Sequence, residues 1–387
     1  MVGGEITFSS QAVTLIGHPF APIGRGEDVR CAARAAQEVG IPFTILDLDQ
    51  KQHIDDQALA SEFISYVEDD LSSFIQILFI NGDEIENVLA RFPTLSNSDT
   101  YQVIVPQWEL GRYPAVWAEQ MNVFDEVWAP SRFVARSLES SVTIPVKHVP
   151  LPVGPRLKSF LPRRYFGLPE SSFLFLFSFD FSGYKERKNP GAVIDTFEHV
   201  CDRLGPVDIR LVIKSSMPWP DDRFRARERE LVGRIGQSPH ENRIIHINRL
   251  MTDNEIKNLI RCCDCYLSLH RSEGFGRGLA EAMYYEKPVI GTGYSGNMDF
   301  MNEMNSFLVD YEWKPVRDGE YPYHHHQKWA NPKIQDAVEH AIHVYQDQEK
   351  ARNIGLAASR WIRTYFSYRA VGLRYKDRLD RIIQNLS

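Results

Sequence analysis

His270-Arg-Ser-Glu-Gly-Phe-Gly-Arg-Gly-Leu-Ala-Glu-Ala-Met283, followed shortly by Lys287-Pro-Val-Ile-Gly-Thr-Gly-Tyr-Ser-Gly-Asn-Met-Asp-Phe300, decides how this chain is read. An apolar run ends at Leu269, and Leu279-Ala-Glu-Ala-Met283 favours helix, so the order is strand, glycine loop, helix. Glycines let backbone N–H groups come close to an anion, and a helix N-terminus adds unsatisfied donors with a partial positive charge. Two carboxylates frame this loop. Glu273 lies within it, and Glu281 is expected about two turns into the helix, so the pair brackets a ligand lying over the helix start. Carboxylates there accept from sugar and ribose hydroxyls. Taken on spacing alone, they equally suit a helix-dipole partner and a surface residue.

Working outward, strand-like runs recur at 12–17, 42–48, 74–80, 101–105, 123–128 and 146–149, and again at 173–179, 209–214 and 243–247, with helix-like segments between them. Such alternation predicts parallel sheets covered on both faces. The length of 387 residues suits two domains. The Pro-rich stretch 150–169 reads as their connection, and two doubly wound sheets are expected to face a cleft. The tail 351–386 reads as helix with a break near Phe366-Ser367-Tyr368. In the first half, the turn 18–26 precedes a helix expected over Glu27–Val39, with Gly24 and Gly26 as candidate anion-facing glycines and Arg25 as a counter-charge. Glu27 and Asp28 oppose that role. Asn81-Gly82-Asp83-Glu84 and Gln107-Trp108-Glu109-Leu110 should both reach the carboxyl edge of the first sheet, where open α/β domains bind ligands.

Glu273-Gly-Phe-Gly with Leu-Ala-Glu281-Ala-Met resembles the E-x7-E donor segment of retaining glycosyltransferases of family 4, which have the GT-B fold of two Rossmann-like domains. Gly293 to Met301, with Asn305 to Tyr311, is similar to one branch of that family. About forty residues carry the close match. The resemblance implies that residues 1–158, with a C-terminal helix at about 368–387, form an acceptor domain, and that 159–367 form the nucleotide-sugar donor domain. It implies that Glu281 binds ribose hydroxyls, that Glu273 meets the transferred sugar, and that Gly274, Phe275 and Gly276 line the phosphates. Arg249-Leu250 would meet the base.

Lys185-Glu-Arg-Lys-Asn-Pro190 resembles the family's Lys-Asn-Pro element, whose lysine contacts the donor diphosphate; the match falls on Lys188. The family's arginine some six residues earlier has no counterpart, because Ser182 stands there, and Arg187 or Lys185 is the candidate substitute. The family's first-domain histidine has no match either: the corresponding turn reads Trp108-Glu109, an acceptor-side candidate.

The resemblance implies a retaining, metal-independent hexosyl transferase that uses a nucleotide-diphosphate sugar and a glycan or lipid-linked glycan acceptor, as in polysaccharide biosynthesis. A 2-epimerase of the same fold and a non-catalytic nucleotide-sugar-binding or partner-binding subunit stay open. No Asp-x-Asp follows a strand in a donor-like context, and the pairs Asp69-Asp70 and Asp221-Asp222 read as helix ends. No cofactor is expected.

Bulk composition narrows the partners. The net charge of −7 gives no electrostatic case for nucleic acid. No apolar run approaches bilayer length, and the N-terminus lacks a basic-then-apolar leader, so a cytoplasmic location is expected. Up to residue 160 there are 11 Lys plus Arg against 21 Asp plus Glu, and beyond it 33 against 30. Any membrane contact is therefore expected to be peripheral and not electrostatic. Three cysteines in Cys262-Cys-Asp-Cys265 lack zinc spacing and read as buried thiols, and His324-His-His326 reads as a loop.

Overall fold

The computed structural model describes residues 13–50, 56–69, 71, 73–96, 99–217 and 222–386. Ala12, Asp70 and Asp221, each part of an expected element or pair, lie outside the described residues. The chain divides into two compact units, Met1–Gly154 with Arg363–Ser387, and Pro155–Ile362.

Unit 1 holds β1 (Val13–Gly17), β2 (Phe43–Asp47), β3 (Ile75–Leu78), β4 (Tyr101–Ile104), β5 (Glu126–Ala129) and β6 (Val146–His148). They form one parallel sheet in the order β2-β1-β3-β4-β5-β6. Buried apolar side chains fall on both faces of β1 and β3, which explains why those strands read as continuous apolar runs rather than alternating ones. The last helix, Tyr368–Leu386, packs on the helix Gly24–Val39 within this unit. Gly372 permits the approach, since a Cβ there would meet the Ala35 carbonyl oxygen at 2.5 Å. Ser367 Oγ accepts from the amide of Ala370, and that cap restarts the helix after the break.

Unit 2 holds β7 (Phe173–Ser178), β8 (Ile209–Ser215), β9 (Ile244–Asn248), β10 (Cys265–Ser268), β11 (Val289–Thr292) and β12 (Phe307–Val309) in a second parallel sheet, order β12-β11-β10-β7-β8-β9. The order reverses between β10 and β7, so the loops after those two strands flank the point where such sheets bind ligands. Phe175, Phe177, Phe197 and Leu211 anchor its core.

An antiparallel hairpin of β13 (Tyr311–Pro315) and β14 (Lys328–Pro332) was not expected from sequence. His324 to His326 lie in its connection, where the His324 and His325 ring centroids are 4.3 Å apart with the rings tilted. The cysteine cluster sits at the junction of the helix Asp253–Cys262 with β10, and its thiols are free and buried.

Candidate active site in unit 2

The loop after β7 is built to project cations. Asn189 adopts φ +58°, a left-handed conformation that Asn tolerates, and Pro190 occupies the first turn of the helix Pro190–Leu204, where its fixed φ suits and its missing N–H costs nothing. Asn189 Nδ2 donates to the Leu269 carbonyl at 2.9 Å, and the Arg271 amide donates to the Arg187 carbonyl at 2.8 Å. These bonds fasten the β7 loop to the β10 loop. The Lys-Asn-Pro element is thus a clamp between the two strands at which the sheet order reverses.

The clamp brings Lys188, Arg187 and Glu273 together. Lys188 Nζ lies 2.6 Å from Glu273 Oε1, and Arg187 Nη1 lies 3.2 Å from Glu273 Oε2. Burial alone would raise the Glu273 carboxyl, but the Lys188 and Arg187 charges outweigh it and hold the group at about 2. Arg187 is also a brace: Nε donates to the Gly183 carbonyl at 3.0 Å and Nη1 to the Ser272 carbonyl at 2.9 Å. Two cations on one carboxylate leave a net positive charge at the loop.

The glycine loop is held from the other side by the turn after β11. Ser295 Oγ accepts from the Glu273 amide at 2.8 Å, and the Gly296 amide donates to the Glu273 carbonyl at 2.9 Å. A Cβ on Gly296 would lie 2.0 Å from the Gly274 carbonyl oxygen, so only glycine fits. Gly276, at φ +95°, is the N-cap of the helix Arg277–Tyr284, and its left-handed backbone turns the loop into the helix. Gly278 faces Tyr266, whose hydroxyl would lie 2.4 Å from a Cβ there. His270, fully buried, bonds Ser268 Oγ and Asn297 Oδ1 at 3.1 Å each, and burial lowers its pKa, so it is a neutral strut beneath the loop. Phe275 is buried against Phe300, with ring centroids 5.3 Å apart, and anchors the loop by packing.

Glu281 is buried one turn into its helix rather than two, because the helix starts at Arg277. Arg249 pairs with Glu255 at 2.8 Å, and Leu250 is exposed at the end of the β9 loop. Lys185 is drawn away to Glu230. Ser182 donates to Asp180 Oδ1, which also accepts from the Gly183 amide at 2.8 Å, so this turn caps itself and carries no cation.

In unit 1 the expected loop glycines fall inside a helix, which begins at Gly24 instead of Glu27. Gly26 is required by packing, since its Cβ would lie 2.3 Å from the Ala21 carbonyl oxygen. Arg25 pairs with Glu84, so its charge is spent there. The expected repulsion at the helix start is also answered. Glu27 pairs with Arg30 at 2.9 Å and Asp28 accepts from Gln107 Nε2 at 3.0 Å. Trp108 is buried, in edge contact with Tyr113 and Trp117, and its Nε1 donates to the Arg112 carbonyl at 2.8 Å; Glu109 beside it is part-buried.

Residues 166–314 match the family model described as glycosyl transferases group 1. Both sheets have counterparts in solved structures. Anabaena HepE in complex with UDP and glucose is 15% identical with a TM-score of 0.67, over 96% of this chain and 100% of that one. The fold is GT-B. Sucrose-phosphate synthase from Thermosynechococcus elongatus gives 14% identity and a TM-score of 0.69, over 97% of this GT-B chain and 100% of its own. The pneumococcal O-GlcNAc transferase GtfA, in complex with UDP and GlcNAc, gives 16% and 0.54, over 80% of this chain and 56% of its own. No curated protein matches the sequence. The family match covers the whole β7-to-β12 sheet and β13 up to Lys314, so β14 and the connection before it lie outside the match.

Sequence reasoning did not single out Lys214, Ser272 or Arg271. Among the described residues, Arg271 Nε, Ser272 Oγ, Trp329 Nε1 and Glu186 Oε2 are buried without a hydrogen-bond partner around the base of the clamp. A lone lysine inside an apolar strand, or a serine next to a glutamate, gives no pattern to find. Among the described residues no three His, Cys, Asp or Glu side chains are grouped to hold a metal, and no helix is long and apolar enough to cross a membrane.

Proposed function

We propose that the protein is a retaining glycosyltransferase of hexosyl type, moving a sugar from a nucleotide-diphosphate sugar to a glycan or lipid-linked glycan. The observation that carries this reading is the Glu273 carboxylate held by Lys188 and Arg187 at the mouth of a glycine loop, with Glu281 one turn into the following helix. In this reaction the bond from the anomeric carbon to the diphosphate oxygen breaks and the diphosphate departs with the electron pair. The acceptor oxygen bonds to the same face of the carbon, and its proton passes to a leaving phosphate oxygen. What the protein must supply is charge stabilisation and position.

Lys188 and the amides of Gly274 to Gly276 take the leaving diphosphate. Glu273, ionised because of its cations, accepts from hydroxyls of the transferred sugar, and Glu281 accepts from the ribose. Arg187 holds the loop in register, and Arg249-Leu250 meets the base. Unit 2 is then the donor domain and unit 1 the acceptor domain, with Gly24, Gly26, Trp108 and Glu109 on the acceptor side. A net positive loop makes a divalent metal unnecessary. The free buried thiols suit a reducing, cytoplasmic setting.

Incubation with a panel of nucleotide sugars, followed by assay for free nucleoside diphosphate and for altered sugars, tests the reading. Slow donor hydrolysis supports a transferase. Epimer formation, or tight binding with no turnover in the presence of any glycan acceptor, overturns it.

A further inference from the structure

β8 carries, one residue before its end, a side chain that its setting does not explain. The strand is apolar in its centre, yet Lys214 stands near its carboxyl end and is 7% exposed. Among the described residues its ammonium makes one hydrogen bond, 2.9 Å to the buried Ser216 Oγ, and no carboxylate lies within ion-pair distance. An ammonium carries three donors, so two are left without an acceptor among the described residues. Burying a cation that way is costly, and burial pushes its pKa down to about 8 against the pull of Asp180. Asp180 makes no ion pair with it, and its Oδ1 caps the Phe181–Gly183 turn.

The placement of Lys214 says what the two donors are for. The Phe179 amide donates to the Lys214 carbonyl and the Phe181 amide to the Ser216 carbonyl, each at 3.0 Å. These bonds fix the end of β8 against the turn that carries Ser182, the turn without a cation of its own. That turn leads directly into Lys185–Lys188, and Lys214 stands opposite Ser178, the last residue of β7, at the same carboxyl edge of the sheet, with the charges of Asp180, Arg249 and Glu255 about it.

We propose that Lys214 is a second diphosphate-binding cation of the unit 2 site, donating to a phosphate oxygen of the donor from the neighbouring strand. The proposal rests on the reading of unit 2 as a nucleotide-sugar site.

The test uses the full chain, with UDP, GDP and ADP screened on the wild type and the bound one carried forward together with its nucleoside. Lys214→Met should lose about ten- to a hundredfold in affinity for the diphosphate, the range for a lost charge-assisted hydrogen bond. The nucleoside's affinity should not change, Lys214→Arg should keep most of the diphosphate affinity, and the melting temperature of the methionine variant should not fall. Equal losses for nucleoside and diphosphate, or unchanged diphosphate affinity, overturn the proposal. If Lys214→Met does not fold, Lys214→Gln is read in the same way; failure of both neutral variants to fold makes Lys214 a structural cation and also overturns it. A wild type that binds none of the three diphosphates overturns the functional reading, and this proposal with it.

Discussion

Lys188 Nζ and Glu273 Oε1 stand 2.6 Å apart although 85 residues separate them in sequence. With Arg187 on the other carboxylate oxygen, the Glu273 group is held at about 2, against an ordinary value of 4.5. A folded-state value below the unfolded one stabilises the protein above about pH 4.5, and that contribution is lost as pH falls toward 2. The difference corresponds to about 3 kcal/mol. Denaturant midpoints measured from pH 6 down to pH 2 should therefore fall less steeply for Glu273→Gln than for the wild type. Glu255, also held at about 2, titrates in the same window in both proteins and cancels in the comparison. The same variant should slow transfer about ten- to a hundredfold with a smaller effect on donor affinity. Parallel pH curves together with unchanged rates would remove Glu273 from the site.

Glu281 should behave differently. It lies in the helix rather than in the loop, and its proposed partner is the ribose, which does not change on the way to the transition state. Glu281→Gln is expected to weaken nucleotide-sugar binding about tenfold or more while leaving the rate at saturation near that of the wild type. Calorimetric titration beside saturation kinetics checks this, and a lowered saturating rate with intact affinity would contradict it.

How much of this could be read from residues alone depended on whether the cause was local. The strand β7 announces itself because a parallel strand buried on both faces must be apolar throughout, as Phe173-Leu-Phe-Leu-Phe177 is. The turn at Gly276 likewise follows from a local need for left-handed backbone. Arg187 was legible as a cation but not as a brace, since that role depends on carbonyls at Gly183 and Ser272, the latter 85 residues away. The β13–β14 hairpin was missed because Pro315 and Pro332 at its ends argue against strands, yet each lies on a terminal rung, Pro332 opposite Tyr311 and Pro315 opposite Lys328, where a missing N–H is tolerated. Gly26 shows the converse ambiguity: a glycine that close packing requires looks the same in sequence as one wanted for an anion.

Gly296 offers a test of the glycine loop that leaves every polar group in place. Gly296→Ala puts a Cβ 2.0 Å from the Gly274 carbonyl oxygen and 2.9 Å from that of Glu273, so the loop must move. A loss of about 1–3 kcal/mol in stability is expected, as for overpacking in a tight core. Nucleotide affinity should fall with it, while the far-UV circular dichroism stays native. Unaltered affinity would mean that the 273–276 backbone is not part of the donor site.

Metal dependence follows from the charge balance at Glu273. With Lys188 and Arg187 supplying the positive charge, dialysis against a chelator is expected to leave transferase activity within about twofold of the untreated enzyme. Activity abolished by the chelator and restored by magnesium or manganese would assign the diphosphate charge to an ion instead.

The behaviour of unit 1 at a lipid surface turns on how its charge is placed. Its two segments, up to Gly154 and from Arg363 onward, carry 15 Lys plus Arg against 23 Asp plus Glu, a net of −8. Anionic bilayers attract cationic segments by about 1 kcal/mol per residue and repel a net negative surface. A local exception lies on the helix Arg132–Glu139, where Arg132 and Arg136 are both exposed four residues apart on one face. Arg374 is close enough for the Arg132 charge, together with burial as the larger cause, to lower its pKa. Arg378, one turn further along, is neutralised by Glu126. Three cations against a net of −8 are too few for stable anchoring at physiological salt, where the screening length is about 8 Å. Sedimentation with anionic liposomes should therefore leave the protein in the supernatant at physiological salt, and no more than weakly pelleted at low salt. Strong, salt-sensitive pelleting that disappears in Arg132→Ala with Arg136→Ala would overturn this and make the helix Arg132–Glu139 a membrane-docking face.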